Sequence, residues 1–461
     1  MNDPLQSPAP QDERKTAPKP ARTPRWGRPP YPADGGPKPA AAMRFIMLVV
    51  LIDMLAVGLI VPVLPALVGK FTASPSEQTY WYGVIVFSYA IASFVGAPIL
   101  GALSDRYGRR PILLLGFCGL ALNFFSTALA TTAWMLVASR LVGGAMQANA
   151  AVANAYVADI TPPELRAKRF GLLGAMFGIG FILGPVMGGI LGGINLQLPF
   201  FVAGGLALIN LAYGYFVLPE SLPIDHRRTV DWPRANPFSS LKQLAQLKGV
   251  GLLVGVMACA SLAQFTLYTT WVLYTTFKFN WGPTENGWSL FAVGIVSALV
   301  QGVLLGRLLK RFTPQRLAVW GLVSSTLAFA LWGLVTEGWM MYPVILANLL
   351  GATVAATMQS LISSAADKRN QGQTMGALSG LSSLMAVIAP AFGAPLLGMV
   401  SHLPAGDWRI GMPMYFGAAL QALALVLAVI HFRRTPRPGS AAETVEAAEA
   451  AEPAEAVPKA P

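Results

Sequence analysis

Charge is what this sequence has least of: Asp, Glu, Lys and Arg make up 12% of the 461 residues, against about 25% in an ordinary soluble domain. That excludes a soluble globular chain. Cysteine is nearly absent, and the two present, Cys118 and Cys259, sit inside apolar runs, so there is neither a disulfide framework nor a zinc-spaced ligand set. The three histidines, His226, His402 and His431, are too dispersed to build a catalytic cluster. No G-x-x-x-x-G-K-[ST] loop occurs, and the Gly178/Gly180 pair lies in an apolar helix and follows no strand, so no nucleotide cofactor is expected. Residues 1–42 hold eleven prolines and lack an apolar core segment, so no cleavable signal peptide is expected.

What is plentiful is apolar sequence, at 54% of the chain. A helix needs about 20 mostly apolar residues to cross a bilayer. Twelve stretches qualify, near 44–69, 80–102, 111–130, 133–157, 170–193, 199–219, 249–276, 287–308, 317–336, 339–364, 374–400 and 411–432. The expected fold is therefore an all-α integral membrane protein with 12 transmembrane helices. One long polar connection, 220–248, divides them into six-helix halves at 43–219 and 249–432, while 1–42 (Pro-rich) and 433–461 (Ala/Glu-rich) read as disordered tails.

The net charge of +12 is placed for a membrane and not for nucleic acid, because the basic residues lie between apolar runs. With both termini cytoplasmic, 29 of the 33 Lys and Arg fall on that side, and only Lys70, Lys278 and Arg409 lie opposite. Basic loops resist translocation, so this bias sets the topology.

The halves echo each other at a constant offset of 205 residues. Gly101, Leu103 and Arg106 recur as Gly306, Leu308 and Arg311, and Gly171, Pro185 and Gly188 recur as Gly376, Pro390 and Gly393. Internal repeats are how many transporters are built.

Two charges stand inside spans, where each costs about 2.5–3.5 kcal/mol or more unless paired or hydrated. Asp53 is placed roughly 14 Å above the cytoplasmic boundary and Arg140 roughly 10 Å below the outer one, so their depths nearly coincide. They are expected to share an interior cavity, with Asp53 as the protonatable site and Arg140 tuning it; a static ion pair joining two spans is the other reading. Polar residues at helical spacing mark two further faces: Gln147 and Asn154 beside Arg140, and Gln264, Tyr268 and Trp271 with Ser261 and Thr275. Each face lines an aqueous cavity or hydrogen-bonds to a neighbouring helix. Gly180, Gly184, Gly188 and Gly192 recur every fourth residue and form a ridge that another helix can approach closely, with Pro185 permitting a bend.

The loop Gly101-Ala-Leu-Ser-Asp105-Arg106-Tyr-Gly108-Arg109-Arg110 resembles the signature loop of the major facilitator superfamily. Span 5, with Gly180, Gly184, Pro185, Gly188 and Gly189, resembles the antiporter motif of its drug:proton exchangers, and Leu51–Pro65 resembles the opening helix of the tetracycline antiporters. The likeness covers about 44–432. It implies the major facilitator fold and a transporter, not an enzyme, working by alternating access. On this resemblance Gly101–Arg110 form a cytoplasmic gate locked by Asp159, and the span 5 helix packs against span 8. The family's membrane aspartates of spans 3 and 9 fall here on Asn123 and Ser325, with Asn123 counted in the substrate cavity.

The expected activity is export of a drug-like amphipathic molecule, tetracycline-like in one form, in exchange for protons. The alternative is a proton symporter or facilitator of a small metabolite such as a sugar or organic acid. The expected partners are the small-molecule substrate, protons and lipid, with no metal, in a monomer of a bacterial inner membrane.

Overall fold

The computed structural model describes residues 39–147, 149–227, 251–365 and 371–434. The proposed tails up to residue 38 and from 435, and most of the central connection, lie outside the described residues. All regular structure described is helical. In chain order the helices are α1 (Pro39–Ile60), α2 (Leu64–Gly69), α3 (Pro75–Tyr107), α4 (Arg109–Ala128), α5 (Ala133–Ala145), α6 (Asn149–Asp159), α7 (Pro163–Ile194), α8 (Leu198–Val217) and α9 (Gly251–Phe279). They continue with α10 (Pro283–Arg311), α11 (Pro314–Leu334), α12 (Met341–Ala347), α13 (Val354–Ala365), α14 (Gln371–Gly398) and α15 (Met412–Arg434).

Local sequence sets the ends. Ser74 accepts from the Glu77 backbone N–H and Glu77 answers by accepting from Ala73 N, which starts α3. Thr132 caps α5 in the same way through Met135 N. Between α3 and α4 the chain turns at Gly108, whose φ of +107° only glycine takes without strain.

Ten helices among the described residues are long and apolar enough to cross a membrane, and an eleventh span is made by Gly338–Ala347 with Gly351–Ser364, bent by 53°. Three spans read as continuous are interrupted. The first breaks at 61–63, next to Pro62 and Pro65, and separates α1 from α2. The stretch 133–157 divides into α5 and α6 around 146–148, and 339–364 divides into α12 and α13. The last two breaks are equivalent: Asn149 and Val354, which open α6 and α13, are separated by the repeat offset of 205. α1 also starts at Pro39, inside the stretch read as tail.

The core is arranged as a fork. One buried cluster draws on both halves, joining Leu59, Tyr82, Ile85 and Leu136 with Trp271, Tyr274, Trp332 and Leu397. A second cluster holds first-half residues only, among them Ile46, Leu113, Phe117 and Tyr156, and a third holds second-half residues only, among them Val256, Leu322, Met358 and Leu378. The shared cluster lies away from the basic loops, and the separate ones lie towards them.

Glycines map the same division. Away from the basic loops, a Cβ on Gly83 of α3 would lie 2.6 Å from Ala394 of α14, and one on Gly189 of α7 would lie 2.6 Å from the carbonyl of Pro283 in α10. Near the basic loops, Gly101, Gly171, Gly174, Gly302, Gly306 and Gly376 have nothing within 4 Å. The two halves are joined at one end and apart at the other.

Candidate functional site: the buried charges, the glycine ridge and the basic loop

Asp53 lies on α1 at 4% exposure, and its Oδ1 accepts a hydrogen bond from Asn149 Nδ2 at 3.1 Å. Leu113, Phe117 and Phe177 complete a small pocket around it. Arg140 of α5 is as deeply placed, at 5% exposure, with its guanidinium carbon 5.9 Å from the centroid of the Tyr89 ring. Its Nε and Nη2 are buried without a hydrogen-bond partner. Of the two readings, the static ion pair is not what the structure holds: the Asp53 carboxylate is bound by Asn149, and the Arg140 guanidinium lies over Tyr89 of α3. The depth estimate brought the two to one level, but it carried no information on the angle around each helix. Asn149 and Tyr89 are the residues that reasoning from sequence missed; an amide and a phenol in apolar spans give no signal beyond their polarity.

The other cavity candidates divide. Tyr268 is 51% exposed and shares a face of α9 with Gln264. Gln147 is half-buried at the α5–α6 break, with its Oε1 buried and unpartnered, and Asn154 is exposed and donates to its own helix at Ala150. Trp271 is 3% exposed; its indole N–H donates to Ser289 Oγ at 3.0 Å and its ring stands edge-on to Trp332. Asn123 is 1% exposed and accepts from Ser139 Oγ at 3.0 Å, binding α4 to α5. Trp271 and Asn123 are therefore packing contacts between helices.

The glycine ridge of α7 meets α1, and the helix packs against span 8 mainly by its adjacent face. Gly180, Gly184 and Gly188 lie against α1, where a Cβ on Gly184 would come 2.6 Å from Gly58 Cα and one on Gly188 only 1.9 Å from the Leu59 carbonyl oxygen. A Cβ on Gly192 would sit 2.6 Å from Val63 Cγ2. The contact with span 8, here α10, is made by the adjacent face: Gly189 packs on Pro283 and Gly287, and Thr284 Oγ1 donates to the Gly189 carbonyl at 3.2 Å. Pro185 lies within α7, its carbonyl facing Gly287.

At the basic loop, Arg109 is the hub. It pairs with Asp105 at 2.5 Å and with Asp159 at 3.1 Å, and its Nη1 also donates to Ser104 Oγ. Burial raises the Asp159 carboxyl above the ordinary carboxylate range, against the pull of the Arg109 hydrogen bond and charge and of Ser221. Arg106 lies over Tyr107, and Arg110 donates to the Tyr215 carbonyl. Glu220, read from sequence as the start of the connection, is part of this cluster: its carboxylate accepts from the backbone N–H of Arg109 at 2.8 Å and of Arg110 at 3.2 Å, capping α4 from 111 residues away. Gly108 must be glycine here also because a Cβ would meet Glu220.

A bundle of apolar helices joined at one end, parted at the other, with ionisable groups buried between, is the architecture of a multi-pass membrane transporter. The family model of the Major Facilitator Superfamily matches residues 46–390 and 253–459, and the chain belongs to that superfamily. It is 36% identical over 384 residues to the tetracycline resistance protein, class C, of Escherichia coli, covering 83% of this chain and 95% of that one. It is 33% identical over 396 residues to the class D protein of Salmonella ordonez, covering 86% and 98%. Among solved structures, the nucleoside transporter NupG matches with a TM-score of 0.70 at 11% identity, over 85% of this chain and all of that one. A bacterial homologue of the human lysosomal transporter Spinster, inward-facing and unoccupied, also gives 0.70, at 14% identity, over 87% and 98%.

Proposed function

We propose that this chain is a proton-coupled exporter of a drug-like amphipathic molecule, tetracycline-like in chemistry, in the inner membrane of a bacterium. The carrying observation is the likeness to tetracycline resistance proteins along nearly their whole length, together with a bundle closed at one end and open at the other. In this reading the interrupted pairs α5/α6 and α12/α13 are spans 4 and 10, which gives twelve spans in two halves, 43–219 and 249–432, with the basic loops and both termini cytoplasmic. The parted end then opens to the cytoplasm, and the structure is the inward-facing state of an alternating-access cycle.

Each part has a task. Substrate enters between the halves, past Gln147, Asn154, Gln264 and Tyr268. Asp53 takes the proton that returns the loaded protein inward, with Arg140, which lies over Tyr89, tuning its hold on that proton. Gly101, Asp105, Arg106, Gly108, Arg109 and Arg110 with Asp159 form the cytoplasmic gate, and Gly180, Gly184, Pro185, Gly188 and Gly189 the hinge-side packing that seals the outer end. One chain contains the whole pathway, so a monomer suffices.

The test is drug-dependent proton flux in inverted membrane vesicles, with a panel of tetracyclines and unrelated amphipathic drugs. Proton efflux on adding one compound, lost in Asp53→Asn, is the expected result. Proton and substrate moving in the same direction would replace the exporter with the symporter, and no flux with any compound would reject proton-coupled drug export.

A further inference from the structure

Asn149 holds Asp53, and its place in the chain makes that bond mechanical. Both side chains are 4% exposed. Asn149 is the first residue of α6 and Asp159 is the last. One end of this 11-residue helix is therefore bonded to Asp53 of α1, and the other is ion-paired to Arg109 of the basic loop. At 1.5 Å per residue the two attachments are about 15 Å apart. The preceding interruption frees α6 from α5, which is pinned separately by Gly144 against the Tyr89 backbone.

The second half has an interruption at the same place without the carboxylate–amide pair. Gly116 of α4 leaves room for Asn149, since a Cβ there would fall 1.9 Å from its Oδ1. At the repeat offset, Gly116, Asn149 and Asp53 become Gly321, Val354 and Ala258. Val354 opens α13 and presses on Gly321, where a Cβ would fall 2.7 Å from Val354 Cγ2. The glycine and the interruption belong to the scaffold, and the carboxylate–amide pair is an addition to one half.

We propose that Asn149 is the positioning residue for proton exchange at Asp53: it latches α6 to α1 while Asp53 is ionised, and arrival of a proton at Asp53 weakens the latch. The inference rests on the reading that Asp53 carries the coupled proton. A hydrogen bond to a carboxylate is roughly twice as strong as a neutral one. When a proton adds to the carboxylate the group becomes a neutral acid and that excess is lost; no other group gains or loses a proton. An amide brings no net charge of its own, so the latch opposes the proton only by the strength of that one hydrogen bond. The groups facing Asp53 are few. The pocket wall from α4 and α7 is Leu113, Phe117 and Phe177, which do not titrate, and the nearby titratable groups are Tyr89 of α3 and Arg140 of α5, which lie against each other.

The experiment is infrared difference titration of the purified full chain, following the carboxyl band that Asp53→Asn removes. Asn149→Val copies the residue that the second half already packs against its glycine, and Asn149→Ser keeps a donor. The expected result is a band whose midpoint differs from wild type by about one pH unit in Asn149→Val, a tenfold change in proton affinity, with at least half of the difference recovered in Asn149→Ser. A structural role alone would lower stability and leave the midpoint in place. If Asn149→Val fails to fold, Asn149→Ala, which also lacks a donor, is read in its place, and an unmoved midpoint there overturns the latch. A band that titrates in wild type and is unmoved in the variants overturns the latch alone; a wild-type chain with no titrating Asp53 band overturns the proton assignment as well.

Discussion

Replacing Gly188 by alanine places a methyl group 1.9 Å from the Leu59 carbonyl oxygen, a backbone atom that cannot rotate away. Reaching even 3.0 Å, the closest that real Cβ atoms come, needs a separation of α7 from α1 by about 1.1 Å, and overpacking of this kind costs about 1–3 kcal/mol. Helix propensity works the other way, because alanine is favoured over glycine by about 0.8–1.0 kcal/mol in a helix interior. A clash with a backbone atom sits at the upper end of the steric range, so Gly188→Ala should lower stability by a net of up to about 2 kcal/mol. Gly171→Ala, on the same helix with nothing within 4 Å, keeps only the propensity term and should be neutral or slightly stabilising. Thermal unfolding of the two variants in detergent, beside vesicle transport, gives the comparison. Equal melting temperatures would refute the account of α1 and α7 as a contact that only glycine permits.

Burial holds the Asp159 proton more tightly in the folded chain than in the unfolded one. Its contribution to stability is therefore full below the unfolded value of about 3.9 and is lost as pH rises through the raised folded value. Asp159→Asn should flatten that fall in thermal unfolding measured from acid to neutral pH, and an unchanged profile would count against it. Arg109→Ala leaves Asp105 and Asp159 without their cation and should destabilise by about 2 kcal/mol in thermal unfolding. Trp271→Phe removes the bond to Ser289 and should cost about 1 kcal/mol of stability while leaving the order of preferred substrates unchanged, whereas Tyr268→Ala, on the exposed face, should change that order in a transport panel. Lys278 is 1% exposed and donates to the Gly333 carbonyl at 2.5 Å; Lys278→Met leaves that helix-end carbonyl unpaired and should cost about 1–3 kcal/mol in thermal unfolding.

Apolar length alone located the long spans, because crossing a bilayer demands some twenty consecutive apolar residues and little else does. The basic loop was equally legible, Arg109 and Asp159 included, since charges between apolar runs have few places to go. The interruption before Asn149 was not: Met146 and Gln147 are ordinary helix formers and carry no local stop signal. Periodicity put Trp271 and Tyr268 on one face of α9, and Gly180 and Gly184 on one face of α7. A period fixes which residues share a face but not which neighbour that face meets, so Trp271 went to the interior and the ridge to α1. Glu220 was hidden for another reason: a cap supplied from 111 residues away leaves no local pattern.

The forked core also acts as a lever. With the halves joined at one end, α7, at 32 residues about 48 Å long, extends from the shared cluster to the basic loop as a stiff arm. Taking about 30 Å of that length beyond the pivot, a rotation of about 10° moves the tip by about 5 Å, close to the width of one aromatic ring. Small slippage at the Gly189–Pro283 contact is thereby magnified at Gly171 and Gly174. The tight glycine contacts belong at the pivot, where displacement is least, and the unfilled space around glycines belongs at the tips, where the sweep is greatest.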